Sequence, residues 1–258
     1  MKPPMFSIIT ICLNNKDGLI RTYESLKSQS CDEYEWIVVD GVSTDGTIDF
    51  LNALPKSSEF TWSSVSDSGL YDAMNKGMAL ANGKYLLFLN SGDELANSLT
   101  LETVHSVSAE FDFDLIYGDA LETVATGNHN YKSAYSYHKR WYGMFTHHQS
   151  MFYRNKCVGR LRYDLSYKVA SDYAFTCKFL KGVKEVKYIQ NPICLFEGDG
   201  LTSTSEGKFQ GVKEQWRVGK EILERSFFQR LGVLILHIIK HILISFFPVL
   251  YSRLRYKK

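Results

Sequence analysis

Three apolar runs, residues 6–13, 36–40 and 84–90, the first of them rich in β-branched residues, constrain this chain more than any other feature. Each is nearly continuous in hydrophobicity, which is the pattern of a parallel strand buried on both faces, and each ends abruptly in polar residues. Leu19, Ile20, Tyr23 and Leu26 recur at helical spacing after the first run, with Asp17 as a capping residue. A turn over 41–47, a short helix to Leu54 and a strand over 60–65 follow the second. Asp67-Ser-Gly69 then opens a helix through Met74, Met78 and Leu80, with Gly83 as its C-cap, before the third run. Strands alternating with helices at this spacing predict a doubly wound parallel sheet with right-handed crossovers. Ligands of such sheets bind beyond the carboxyl ends of the strands. Asn14, Asp40, Asp67 and Asp93 all fall just past apolar runs and would collect on one rim.

Beyond residue 110 the alternation is less regular. Residues 115–117 and 147–154 read as strands, 171–180 as a helix, 185–189 as an antiparallel edge strand and 207–224 as a helix. There is no G-x-G-x-x-G after the first run and no Gly-rich lysine loop, so dinucleotide and P-loop readings lose their mechanical basis.

Charge divides the chain in two. Seven Lys/Arg and no Asp/Glu follow Glu224, leaving 23 bases against 28 acids, a charge of −5, on residues 1–224. An acidic body argues against nucleic-acid binding. Residues 226–251 are apolar, with Arg230, His237, Lys240, His241, Ser245 and Ser252 in a stripe at about 100° per residue. Lys240 near the centre favours a helix lying in the headgroup plane over a span, with Arg253, Arg255, Lys257 and Lys258 reaching anionic lipid. The division read here is therefore a catalytic domain over 1–225 and a basic amphipathic membrane-associating tail over 226–258. A helix packed on the domain or a partner subunit is the alternative. Five cysteines without a C-x-x-C pair suggest neither a disulfide framework nor a zinc site, and fit a reduced cytoplasmic compartment.

The local motifs have plain readings of their own: Asp45-Gly46 is a turn, and Ser171-Asp172 could be a helix cap. Together, however, Ser7-Ile-Ile-Thr10, Trp36-Ile-Val-Val-Asp-Gly41, Ser43-Thr-Asp-Gly-Thr47, Asp67-Ser-Gly-Leu-Tyr-Asp-Ala-Met-Asn-Lys-Gly77, Phe88-Leu-Asn-Ser-Gly-Asp93, His148-Gln149 and Ser171-Asp-Tyr173 resemble the family 2 glycosyltransferases of the GT-A type. The nearest group is the WcaE-like one of colanic acid and exopolysaccharide biosynthesis. The resemblance covers about residues 6–205. It implies a Rossmann-like mixed α/β sheet flanked by helices, and transfer of a sugar, with inversion, from a nucleoside-diphosphate-sugar donor to an acceptor hydroxyl. Thr10 and Asn14 would line the nucleoside pocket, Asp40 would hold the base or ribose, and Asp67 would sit beside them. Asp93 would bind a divalent metal, Mg²⁺ or Mn²⁺, bridging the diphosphate, with Asn90 in the place of the motif's first acid. Asp172 would be the catalytic base, its ionised form favoured by the helix dipole. His148 is read near the acceptor or diphosphate. Met74 stands where many relatives carry an arginine, which leaves Lys76 as a phosphate candidate or as the i,i+4 partner of Asp72. Aromatic residues between Tyr131 and Tyr142 could form the acceptor cleft or pack in the core. With the tail, the resemblance implies a polyprenyl-linked saccharide acceptor at the inner face of the cell membrane. A nucleotidyltransferase and a non-catalytic sugar-nucleotide-binding protein are the rivals.

Overall fold

A computed structural model describes residues 3–123, 127–198 and 205–247. In chain order the elements are β1 (Phe6–Cys12), α1 (Lys16–Lys27), β2 (Tyr34–Asp40), α2 (Thr47–Ala53), β3 (Phe60–Ser64), α3 (Leu70–Leu80) and β4 (Tyr85–Phe88). Then come β5 (Glu94–Leu95), α4 (Thr100–Glu110), β6 (Leu115–Thr123), β7 (His129–Lys132), β8 (Met151–Arg154), α5 (Asn155–Val158), α6 (Ser171–Phe179), β9 (Val186–Phe196), α7 (Ser205–Glu221) and α8 (Phe227–Phe246).

One mixed sheet runs in the order β3-β2-β1-β4-β8-β6-β9-β5, with β7 paired to β6. β1 pairs in parallel with β2 and β4, and β2 with β3, so the first half is the parallel layer that the apolar runs demand. β8 runs antiparallel to both β4 and β6. Alternate side chains of the buried strands feed two cores. Ile8, Trp36, Val38 and Leu87 pack on one face, and Ile9, Ile37, Val39 and Phe88 on the other. Gly77 lets α3 lie against β1: a Cβ there would sit 2.4 Å from Ile9 Cγ2.

Four local expectations change. The α1 cap is Asn15, whose side chain accepts from the Gly18 N–H, and Asp17 stands in the first turn. α3 ends at Leu80 with Ala81 as its C-cap in an extended conformation, and Gly83 serves instead where the chain passes β1, since a Cβ there would meet Ser7 N at 2.5 Å. β9 runs parallel, not antiparallel, to β6 and continues beyond residue 189 to Phe196, with β5 pairing antiparallel on its other side only at Cys194 and Leu195. Residues 148–150 form a single 3-10 turn ahead of β8 instead of continuing the strand.

α8 opens with a capping box between Ser226 and Gln229 and packs on α7. It is the one helix among the described residues long and apolar enough to cross a membrane, and none of it is buried. Arg230 and His237 of the predicted polar stripe turn toward the domain. Phe228, Ile235, Ile238, Ile239 and Ile242 face outward. Ser252 and the basic residues at 253–258 lie outside the described residues.

Candidate active site

The carboxyl ends of β1, β2 and β4 deliver their polar residues to one rim, as a parallel sheet requires. Asp40 ends β2 fully buried. Its Oδ2 accepts from the Val42 and Ser43 N–H groups and from Ser64 Oγ, while Oδ1 is buried without a protein partner. Asn14, at φ +50°, ties β1 to the loop after β2 by accepting from the Thr44 N–H at 2.8 Å. Asp67 accepts from the Gly69 N–H, and its other oxygen lies over Gly41, where a Cβ would be 3.0 Å away. Asn14, Asp40 and Asp67 therefore gather at one end of the sheet. Thr10 does not join them. It is buried, and its hydroxyl accepts from the Trp36 indole N–H at 2.9 Å, which commits the side chain to the core.

The turn after β4, tied to the segment after β1 by the bond from Asn15 Nδ2 to the Ser91 carbonyl, carries Asp93. Gly92, at φ +100°, makes this turn, and no side chain would fit there because Glu197 Oε2 is already 1.8 Å from the position of a Cβ. Asp93 is buried, accepting at Oδ2 from Gln149 Nε2 (2.7 Å) and at Oδ1 from the Glu197 N–H (3.1 Å). Burial pushes its pKa up to about 7, helped by the Glu197 charge and opposed by those two hydrogen bonds. Glu197 is itself paired with Arg21. Asn90 leaves its Oδ1 buried and without a partner.

Asp172 lies in the first turn of α6. The helix is capped at Ala170 with no side-chain bond, so Ser171 is not its cap; the Ser171 hydroxyl donates to the Asp164 carbonyl instead. Asp172 Oδ1 accepts from its neighbour's N–H at 2.8 Å and lies 3.4 Å from Tyr71 Oη, and Oδ2 lies 3.7 Å from His148 Nδ1. Burial raises its pKa, against the pull of His148 and the hydrogen bonds from the Tyr173 N–H and Tyr71, and so in the direction opposite to the one its helix position suggests, while 22% of the side chain remains accessible. Burial likewise lowers the pKa of His148, against the pull of Asp172, and His148 Nε2 has no partner.

The 3-10 turn explains how these acids are joined. Gln149 holds Asp93 while its neighbour His148 faces Asp172, so one dipeptide bridges the two carboxylates. His147 turns elsewhere, to Glu122 at 2.8 Å and onto the Phe196 ring, and burial drops its pKa to about 4. The two histidines do not share a ligand set.

Several residues that matter here carried no signal in the sequence. Glu197 and Arg21 come from distant elements to the Asp93 turn. Glu214, buried on α7, accepts from the N–H groups of Lys168, Val169 and Ala170 at 2.8, 2.9 and 2.8 Å, and Tyr71 Oη donates to the Val169 carbonyl. This clamp fixes the segment that leads into Asp172. Burial would raise the Glu214 pKa, but these bonds and Gln210 outweigh it and the pKa falls. Glu214→Ala orphans three amides, and urea unfolding should show a loss of about 2–4 kcal/mol. Lys76 is spent on Asp72 (3.1 Å) and the Ser66 carbonyl, and Met74 is buried in the core.

Asp93 and the unpartnered Asn90 oxygen offer hard oxygen donors, which suit Mg²⁺ or Mn²⁺ held largely by phosphate and water. Among the described residues no group of three His, Cys, Asp or Glu forms a metal cage.

The family model of glycosyl transferase family 2 matches residues 7–181. The chain belongs to that family. The PGL/p-HBAD biosynthesis glycosyltransferase Rv2957 of Mycobacterium tuberculosis is 33% identical over 238 residues, 90% of this chain and 88% of its own. Among solved structures, S. aureus TarS 1–349 in complex with UDP superposes with a TM-score of 0.68 at 17% identity, over 95% of this chain and 73% of TarS. The Pyrobaculum calidifontis mannosyltransferase PcManGT, in complex with GDP-Man and Mn²⁺, does so at 0.64 and 13%, over 88% and 66%. The family 2 glycosyltransferase described here is thus an enzyme on a GT-A-like mixed sheet flanked by helices, with an apolar C-terminal helix added.

Proposed function

We propose that this family 2 glycosyltransferase moves a sugar, with inversion, from a nucleoside-diphosphate-sugar to a hydroxyl of a lipid-linked saccharide in a bacterial surface glycan of the colanic acid or exopolysaccharide kind. The observation that supports this reading is the His148-Gln149 dipeptide, in which Gln149 bonds Asp93 and the adjacent His148 faces Asp172. The buried, unpartnered Asp40 Oδ1 is a ready acceptor for a base N–H or ribose hydroxyl, with Asp67 and the Asn14-held loop beside it. The nucleotides bound to TarS and the GDP-Man bound to PcManGT support such a donor, and the name of the mycobacterial relative supports glycan biosynthesis.

In the proposed reaction Asp172 takes the proton of the acceptor hydroxyl as its oxygen bonds the anomeric carbon, and the bond from that carbon to the diphosphate breaks with its electron pair on the diphosphate. Asp93 and Asn90 would hold a divalent cation, which, when bound, neutralises charge building on the leaving diphosphate. Gln149 and the Glu197 N–H fix the Asp93 carboxylate, and His148 faces the base. The exposed apolar side of α8 and the basic residues after it favour a peripheral position on the inner, anionic face of the cell membrane, with residues 226–258 as the attachment.

A panel of nucleoside-diphosphate-sugars scored by thermal shift, with Mn²⁺ and with EDTA, tests the donor half. One member should raise Tm and be consumed when acceptor is added. Stabilisation by nucleoside triphosphates alone would favour a nucleotidyltransferase instead. For the membrane half, deleting residues 226–258 should abolish salt-sensitive binding to anionic vesicles; unchanged binding removes the tail from this account.

A further inference from the structure

α7 and α8 enclose a narrow cleft of about 20 Å³, lined by Trp216, Val233, Leu234, Arg225, Arg230 and His237. Arg225 also lines the roomier groove beside it, about 500 Å³, with Trp141, Val233 and Leu236, and it is this groove that has space for a phosphate head. The Arg225 guanidinium donates to the Trp141 carbonyl, and Arg230 lies 4.7 Å over the Trp216 ring with its Nε buried and unpartnered. Burial and the neighbouring charge of Arg140 lower the pKa of Arg225, so two guanidiniums face each other's field here. Among the described residues Arg140, Arg225 and Arg230 have no carboxylate partner, although Glu221 and Glu224 lie close in the chain; those acids are engaged by Arg217 and Lys181.

Clustered, half-buried cations without a counter-charge are costly in the free protein, and proteins keep such groups where an anion completes them. Guanidiniums match phosphate oxygens in geometry as well as charge. The walls beside them are apolar and continue into the exposed face of α8, where Ile235, Ile239 and Ile242 are each nearly half accessible. A charged head against an apolar track fits an amphiphile better than a free phosphate. The segment beside the cleft touches the helix that carries Asp172: Tyr173 donates its hydroxyl to the Arg140 carbonyl at 2.5 Å, and the Tyr142 ring stacks on His237 with centroids 4.5 Å apart.

We propose that Arg225, Arg230 and Arg140 bind the phosphate of the lipid-linked acceptor, a polyprenyl phosphate or diphosphate carrying the saccharide, with its isoprenoid chain lying along α8. The site rests on the acceptor reading above and adds the residues that would recognise the lipid. Bulk anionic phospholipid needs only exposed cations, such as those at 253–258, and no cleft.

Trp141 and Trp216 line the site and report its occupancy by fluorescence. The full chain, in mild detergent with EDTA to silence any metal–diphosphate contact, is titrated with farnesyl diphosphate, farnesol and inorganic diphosphate. Farnesyl diphosphate should bind about tenfold tighter than either fragment. Arg225→Gln should weaken it by at least about tenfold, the loss of one charge-assisted contact, with Arg225→Lys between the two. Arg140→Gln, which removes no hydrogen bond seen in the structure, serves if Arg225→Gln fails to fold. Unchanged farnesyl diphosphate binding in the folded variants would overturn the site. So would an equal loss of phosphatidylglycerol-vesicle binding, which would assign the arginines to bulk lipid. Thermal shift by nucleotide-sugars is scored in parallel. Its failure alongside intact farnesyl diphosphate binding would sink the donor reading and leave the lipid site standing.

Discussion

Asp172→Asn should lower kcat by about 10²- to 10⁴-fold, the usual worth of a positioned general base, while leaving donor affinity unchanged. Asparagine keeps the shape of the side chain and an oxygen to accept from the Tyr173 N–H, so the first turn of α6 should survive. What it loses is proton affinity. The pH profile gives an independent check. Burial raises the Asp172 pKa, and only the ionised form can take a proton, so kcat should fall on the acid side with a midpoint above the ordinary carboxylate range. His148→Gln removes the nearby ring that opposes this rise, and should move the acid limb further up while Asp172 still works. Wild-type turnover in Asp172→Asn, with the acid limb unmoved, would exclude Asp172 as the base.

The sequence was most legible where strand burial is complete. β1, β2 and β4 are apolar on both faces, so periodicity and length alone locate them, and the rule that ligands sit at strand carboxyl ends then points to Asp40 and Asp93. β6 and β9 were harder because their polar residues look like breaks. Asp119 lies fully buried in β6, accepting from Tyr131 and Tyr188, and the Asn191-Pro192 pair of β9 sits where the β6–β9 register shifts. A buried carboxylate satisfied by two tyrosines and a bulge that absorbs a proline leave no local pattern. The same holds for Glu197 and Glu214. Glu214 accepts from backbone amides more than forty residues away, and the Glu197 N–H donates to the carboxylate of the still more distant Asp93, pairings that only the closed fold shows. Asp172 was legible through its motif, but its electrostatics were not, since helix position argues for ionisation and burial argues against it.

Asp93→Asn should separate the chemistry of the donor site from its cost to the fold. Activity should fall by about 10²-fold or more, because the anionic oxygen that holds a cation at the leaving group is gone. Stability should move the other way in the metal-free protein. The folded-state pKa of about 7 stands above the ordinary carboxylate value of 3.8, so the native state holds the proton more tightly than the unfolded chain. Its contribution is therefore complete below pH 3.8 and is lost as pH rises through 7, where the buried carboxylate must ionise. Asparagine never ionises, and Gln149, whose Oε1 has no partner, can turn its amide to accept from the new Asn N–H. At about 1.4 kcal/mol per pKa unit, urea unfolding in EDTA should find the variant more stable by on the order of 3–4 kcal/mol at pH 8, and by roughly half that or less at pH 5. Saturating Mn²⁺ should stabilise the wild type and not the variant. An identical stability difference at the two pH values would mean that Asp93 carries no buried charge, and the cation site assigned to it would fall with that result.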